Sequence, residues 1–256
     1  MGEKLLRLFN SILDVVIIFT IAVAGLYCVY SIWDNNSIYE AALNLQVKLR
    51  ELKPEEKNPS FSQLQKINPD VKAWITLEGT QIDDVVVQGD DDQEYLNKNV
   101  YGEYAMSGSL FLDSRCSGSF REPYQLIYGH HMEKHRMFGD LDLYLKKDFF
   151  EKHTSGTLMI PGQTWPLQIL AVMKADASDE RIFDPQTGTT DPEGLLKEIE
   201  KKKVYVHTGL LEKVKKAESK YSILALSTCS TGKTSERIVV FTVYQPAPKT
   251  EKEEKN

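Results

Sequence analysis

Residues 221–244 read YSILALSTCSTGKTSERIVVFTVY, and the fold turns on this stretch. Two apolar, β-branched runs, 223–226 and 238–243, flank small and polar residues, the pattern of two strands joined by a loop. Cys229 stands where the first run gives out, and Arg237 where the second begins. Only a thiolate attacks as a nucleophile and nearby positive charge favours it, so the pair is a candidate for nucleophilic chemistry. The plainer reading is a small buried thiol and a surface cation. The rest of the chain has to separate the two.

Upstream, short runs rich in Val, Ile and Phe occur at 71–77, 81–88, 108–112, 126–128, 156–160 and 165–174. With the two closing runs they make about eight strands, which predicts a mainly β, α+β domain built as a barrel or sandwich. Helices are expected at 37–53, where Pro54 stops the pattern, and at 61–67, 141–153 and 192–203. Asp191 is a natural N-cap for the last of these, with Pro192 in its first position. Ala42, Leu45, Leu49 and Leu52 form an apolar stripe that is expected to pack on the domain. No fixed period repeats, which excludes a solenoid.

The chain has 256 residues, 41% hydrophobic and 27% charged, enough for one buried domain and an N-terminal appendage. A net charge of −6 argues against a nucleic-acid partner. Cys28, Cys116 and Cys229 supply neither a disulfide framework nor metal-ligand spacing. Residues 15–33 are almost wholly apolar, about the length a helix needs to cross a bilayer. Lys4 and Arg7 precede this run, which predicts a cytoplasmic N-terminus, while Tyr27, Tyr30 and Trp33 crowd its outer end. A cleaved signal peptide is the rival, but no small-x-small site follows.

The sequence LIYGHHM at 126–132 puts His130 at the end of an apolar strand, directly after a glycine. A histidine there is placed to exchange protons with a nucleophile on a neighbouring strand. His131 competes for that role, although strand alternation points it the other way. His135, His153 and His207 lack such a setting and read as surface residues. The acidic run Asp90–Asp91–Asp92 reads as a solvated loop, with Ca²⁺ attraction as the alternative.

These residues carry a resemblance to a known family. YGHH at 128–131, LSTC at 226–229 and RIVV at 237–240 resemble the class B sortases, as do the NPDVKAWI segment at 68–75 and GSLFLDSR at 108–115. A further stretch between 137 and 153, from MFGDL to FFEKH, extends the match over nearly the whole chain. The resemblance implies a closed sortase-type barrel of about eight strands, with N-terminal helices and a long helix before the cysteine strand. It also implies cysteine transpeptidase chemistry. Cys229 would attack the carbonyl of a Thr in a C-terminal sorting signal, His130 would shuttle the proton, and Arg237 would hold the oxyanion or the substrate backbone. Leu96, Tyr128, Ile182, Ser227 and Thr228 are the implied substrate-binding residues, and no cofactor or metal is implied.

The implied partners are secreted proteins with an NPxTx-like or LPxTG-like signal, and the amine of a peptidoglycan precursor (lipid II) or, alternatively, a pilin lysine. A non-catalytic peptide-binding barrel and a plain hydrolase are the rivals from other classes. Asp92, Arg181 and Ser230 depart from residues common in the family, which leaves the exact motif open. The domain reading is a cytoplasmic 1–14, a transmembrane anchor 15–33, juxtamembrane and N-terminal helices 34–67, a catalytic barrel 68–245 and a disordered charged tail 246–256. A single-pass membrane protein with an extracellular catalytic domain follows.

Overall fold

The computed structural model describes residues 2–217, 220–229 and 235–246, apart from the side chains of Lys4, Leu5 and Cys229. The tip of the cysteine–arginine loop at 230–234, Ser230 included, and the tail from 247 onward lie outside the described residues. Two compact units emerge, Met1–Ala42 and Leu43–Asn256. The first is helical throughout its described length and carries a stretch long and apolar enough to cross a membrane. Its helix, α1 (Gly2–Arg50), continues into the second unit, because no proline or glycine stands between Gly25 and Pro54 to end it.

In the second unit the last turns of α1 bring their apolar stripe onto the barrel. Leu49 is buried in the core, and Leu45 and Leu52 pack against it. Gln46 donates to the buried Asp84 carboxylate at 2.7 Å, and Lys53 Nζ reaches Asp83 at the same distance. The packing expected of this stripe is therefore present at these three leucines.

After α2 (Ser62–Ile67) come β1 (Val71–Leu77), β2 (Asp83–Val87), β3 (Leu110–Leu112) and β4 (Tyr124–Met132). A two-residue strand β5 (Arg136–Met137) folds back on β4. Then follow α3 (Lys147–Lys152), β6 (Ser155–Ile160) and the long β7 (Gln163–Asp176). The helices α4 (Glu180–Phe183), α5 (Pro185–Thr190) and α6 (Pro192–Lys202) lead to β8 (Lys203–Val206) and α7 (Thr208–Lys216). The chain closes with β9 (Ser222–Cys229) and β10 (Glu236–Tyr244).

The sheet order β10-β9-β4-β3-β2-β1-β6-β7 returns on itself through a β7–β10 pairing, so eight strands among the described residues form a closed barrel. β8 attaches to β7, and β5 to β4, outside that ring. Closure explains why β9 reads as a continuous apolar run. Ile223 and Ala225 belong to one buried cluster and Leu224 and Leu226 to the other, so both faces are covered. Helices α2, α6 and α7 supply Leu64, Leu195, Leu196, Ile199, Leu211 and Val214 to the first cluster.

Three local expectations are corrected. The helix read at 141–153 is a 3-10 segment, Gly139–Leu145, followed by α3. Three residues per turn put Leu141 and Tyr144 on one buried face, which an α-helix would splay. The helix before the cysteine strand ends at Lys202, and β8 and α7 intervene before β9. His153 and His207 are half-buried and not surface residues: the His207 ring stacks on Phe150 with centroids 4.3 Å apart, and His153 stacks on Phe149 at 4.0 Å. Burial lowers the pKa of His207.

Candidate active site

Strands β4 and β9 are adjacent and parallel, and their last pairing sets His130 opposite Cys229. On the other side of β9, β10 pairs Val239 with Ser227. Arg237 lies two residues beyond that pairing on β10 and Cys229 two residues beyond it on β9, so both stand at the same end of the two strands. Residues distant in sequence thus meet in one row at the end of three neighbouring strands. Thr228 helps hold that row, since its Oγ1 accepts from the backbone N–H of Ile238 at 3.1 Å.

The alternation that puts Tyr124, Leu126 and Tyr128 on one buried face of β4 carries on to His130. The glycine before it has a packing reason. A Cβ at Gly129 would stand 2.4 Å from Leu110 and 2.8 Å from Phe138, so only glycine fits where the strand passes these side chains. His131 turns away, its Nε2 2.8 Å from Asp142 Oδ2, and that carboxylate raises its pKa.

His130 Nε2 lies 2.6 Å from the Leu96 carbonyl oxygen. A carbonyl only accepts, so Nε2 carries a proton, and in the neutral ring Nδ1 keeps the lone pair. The carbonyl is itself held in place. Tyr95 is buried, its hydroxyl donates to Asp70 at 2.7 Å and accepts from Asn68 at 2.8 Å, and its own carbonyl takes the N–H of Ser109. The Asn68 and Asp70 of the NPD segment therefore act at a distance on the seat of His130.

Arg237 lies between two rings: its guanidinium carbon is 5.8 Å from the Tyr128 centroid and 5.3 Å from that of Phe183. Its Nε is buried without a hydrogen-bond partner among the described residues. A cleft of about 330 Å³ opens over these groups, lined by Asp92, Gln93, Leu96, Phe111, Tyr128, His130 and Arg237. An imidazole whose Nδ1 keeps its lone pair and a guanidinium, both lining one cleft, can move a proton and hold a developing oxyanion.

No protein-family model matches the chain. A sortase B of Listeria monocytogenes is 34% identical to it over 174 residues, 68% of each chain. The chain belongs to the class B sortases. Like that family it is a cysteine transpeptidase. A Staphylococcus aureus sortase B is 29% identical over 240 residues, 92% of this chain and 96% of that one. Among solved structures, a Streptococcus pyogenes class B sortase involved in pilus biogenesis is 37% identical with a TM-score of 0.65, covering 72% of this chain and 97% of that one.

In this sortase, Leu96 and Tyr128 line the cleft. Ile182, Ser227 and Thr228 are buried and do not line it. Ile182 takes the hydroxyl of Tyr124 on its carbonyl at 2.7 Å, and Ser227 donates to the Thr228 carbonyl at 3.2 Å. Arg181 is ion-paired with Asp191 at 2.7 Å, on the α6 side. Asp91 accepts from the N–H groups of Gln93 and Glu94 and so stabilises its own turn, whereas Asp92 accepts from that of Ser114 and ties this loop to the one after β3. Phe111, Gln93 and Phe183 were not singled out from the sequence. Only their place in the fold brings them to the cleft or to Arg237.

Proposed function

We propose that this sortase is a single-pass membrane enzyme that cleaves a sorting signal after Thr and transfers the new carboxyl to a cell-wall precursor amine. The observation that carries the reading is the in-register pairing of His130 with Cys229, beside Arg237, over one cleft. The Cys229 thiol gives its proton to Nδ1 of His130, and the sulfur bonds to the Thr carbonyl carbon. The carbonyl electron pair moves to oxygen, where the Arg237 guanidinium meets it. Collapse breaks the C–N bond, and the leaving amine takes the proton from Nδ1. The acceptor amine then attacks the thioester, returns a proton through His130, and the C–S bond breaks.

Leu96 and Tyr128 would contact the signal peptide in the cleft, while Ile182, Ser227 and Thr228 would shape its floor from beneath. The apolar N-terminal helix supports a membrane anchor, and the basic residues Lys4 and Arg7 before the apolar run support a cytoplasmic N-terminus.

A peptide-library assay with an amine acceptor tests the reaction. Mass spectrometry should find products ending in Thr joined to the acceptor, and Cys229→Ala should abolish them. Cleavage elsewhere, or activity surviving Cys229→Ala, would exclude this reading. For the acceptor, the joined product formed in cells should carry a peptidoglycan fragment on Thr, and a lysine side chain there would assign the enzyme to pilus assembly. Protease treatment of intact cells should digest the barrel and spare the N-terminus.

A further inference from the structure

The row of His130, Cys229 and Arg237 does not account for a buried charge that lies beneath it. Asp113, one residue beyond β3, is fully buried. Its Oδ1 accepts from Arg115 Nε at 2.9 Å and from the Arg115 backbone N–H at 3.0 Å, and its Oδ2 accepts from an Arg115 terminal nitrogen at 2.7 Å. The hydroxyl of Tyr128 donates to the same Oδ2 at 3.2 Å. That terminal nitrogen of Arg115 also donates to the Phe183 carbonyl at 2.8 Å. Tyr128 and Phe183 are the two rings that flank the Arg237 guanidinium.

We propose that Asp113 and Arg115 are positioning residues for Arg237, holding in place the two aromatic rings between which its guanidinium lies. The inference rests on the reading of Arg237 as the oxyanion donor. One guanidinium ties β4 to α4: it reaches Tyr128 through Asp113 and Phe183 directly. Phe183 ends a helix of four residues, too short to fix the ring by itself, so the tether on its carbonyl matters.

The chemistry of the pair suits this task better than it suits stability. Only the carboxylate of this pair is buried, and with its guanidinium half-exposed the pair gains little net stability from its charges. A carboxylate that accepts from a phenol, however, raises the electron density of the ring and so its attraction for a cation on its face. Burial, followed by the Asp113 charge, raises the pKa of Tyr128, so the phenol keeps the proton it donates. Arg115 is 42% exposed, which leaves room to alter it without opening the core.

The test is a double-mutant cycle on the full-length chain in detergent, read with an internally quenched N-P-x-T-x peptide pool and an amine acceptor. Arg115→Met should lower kcat about 10- to 100-fold with KM nearly unchanged, the scale expected when a reacting group is misplaced by about an ångström. In the Arg237→Ala background the same substitution should change the residual rate by less than about twofold, because nothing is left to position. Tyr128→Phe, which removes only the hydroxyl that meets Asp113, should reproduce the kcat loss in smaller measure. If Arg115→Met does not fold, Arg115→Lys and Tyr128→Phe complete the cycle. Equal losses in both backgrounds, or an undiminished kcat, would overturn the positioning role. An Arg237→Ala protein with undiminished turnover would instead remove the reading of Arg237, and the proposal with it.

Discussion

The imidazole of His130 donates from Nε2 to the backbone carbonyl of Leu96 over 2.6 Å, so a main-chain atom and not a carboxylate selects its tautomer. A carbonyl orients the ring without the full charge that would stabilise an imidazolium. The same contact makes the 3-10 turn Glu94–Leu96, whose last residue presents that carbonyl, a determinant of turnover.

Gly108 is the point at which that turn can be disturbed. It has φ +57°, and a Cβ there would stand 2.5 Å from the Leu96 carbonyl oxygen. Gly108→Ala is expected to displace this carbonyl, to lower kcat about tenfold, and to cost roughly 1–2 kcal/mol of stability from the left-handed backbone and the clash. Steady-state kinetics and thermal melting on one preparation check both. The ¹⁵N resonances of His130 should report a mixed tautomer in the variant.

Arg237→Ala should reduce the rate of peptide cleavage about 10²- to 10³-fold, the scale of a lost oxyanion donor. Arg237→Lys should recover only part of that loss, because an ammonium offers neither the planar fork nor the flat face that two rings can hold. Pre-steady-state acylation, read as release of the leaving peptide, is the measurement. Equal rates for the Lys variant and the parent would exclude a role for the fork.

Gly129→Ala tests whether the glycine before His130 serves packing. With Leu110 and Phe138 inside contact distance, the variant should lose about 1–3 kcal/mol, as overpacked cores do. Chemical denaturation should show the loss. Leu110→Ala in the same chain should return part of it by making room.

Asp84 gives the second unit a pH dependence. Burial pushes its carboxyl up from 3.8 to about 7, against the opposing effects of Gln46 and Arg50. A folded-state pKa above the unfolded one means that the folded chain binds the proton more tightly. The contribution is therefore complete below about pH 4 and is lost as pH rises through about 7. Asp84→Asn keeps an acceptor for Gln46 and removes the charge. It is expected to flatten the melting temperature between pH 4 and 7 relative to the parent and to gain on the order of 1–4 kcal/mol at pH 8. A parallel decline in both proteins would assign the pH dependence to other groups.

Much of the barrel was legible because its strands are short, β-branched and punctuated. Val71–Leu77 matches its expected bounds, and 156–160 is short of the strand by one residue. The elements that were missed are those whose identity depends on partners. KVYV at 203–206 is a strand because β7 offers it an edge, and it had no pattern long enough to separate it from the end of a helix. The stretch 139–152 divides into a 3-10 segment and a short helix because Leu141, Tyr144 and Phe150 must all reach the core.

Residue types and their spacing along the chain determined the strand runs, the apolar N-terminal helix and the three residues Cys229, His130 and Arg237 as candidates for one chemistry. Each of these rests on local covalent chemistry or on a period of two or 3.6 residues, which a sequence displays directly. Only the tertiary structure decided that β4 and β9 pair in parallel with His130 opposite Cys229, that Leu96 presents its carbonyl to the imidazole, and that Arg237 lies between Tyr128 and Phe183. Those relationships join residues separated by tens of positions. They are set by barrel closure and by the packing of buried side chains, whose energies depend on contacts that no local stretch of sequence contains.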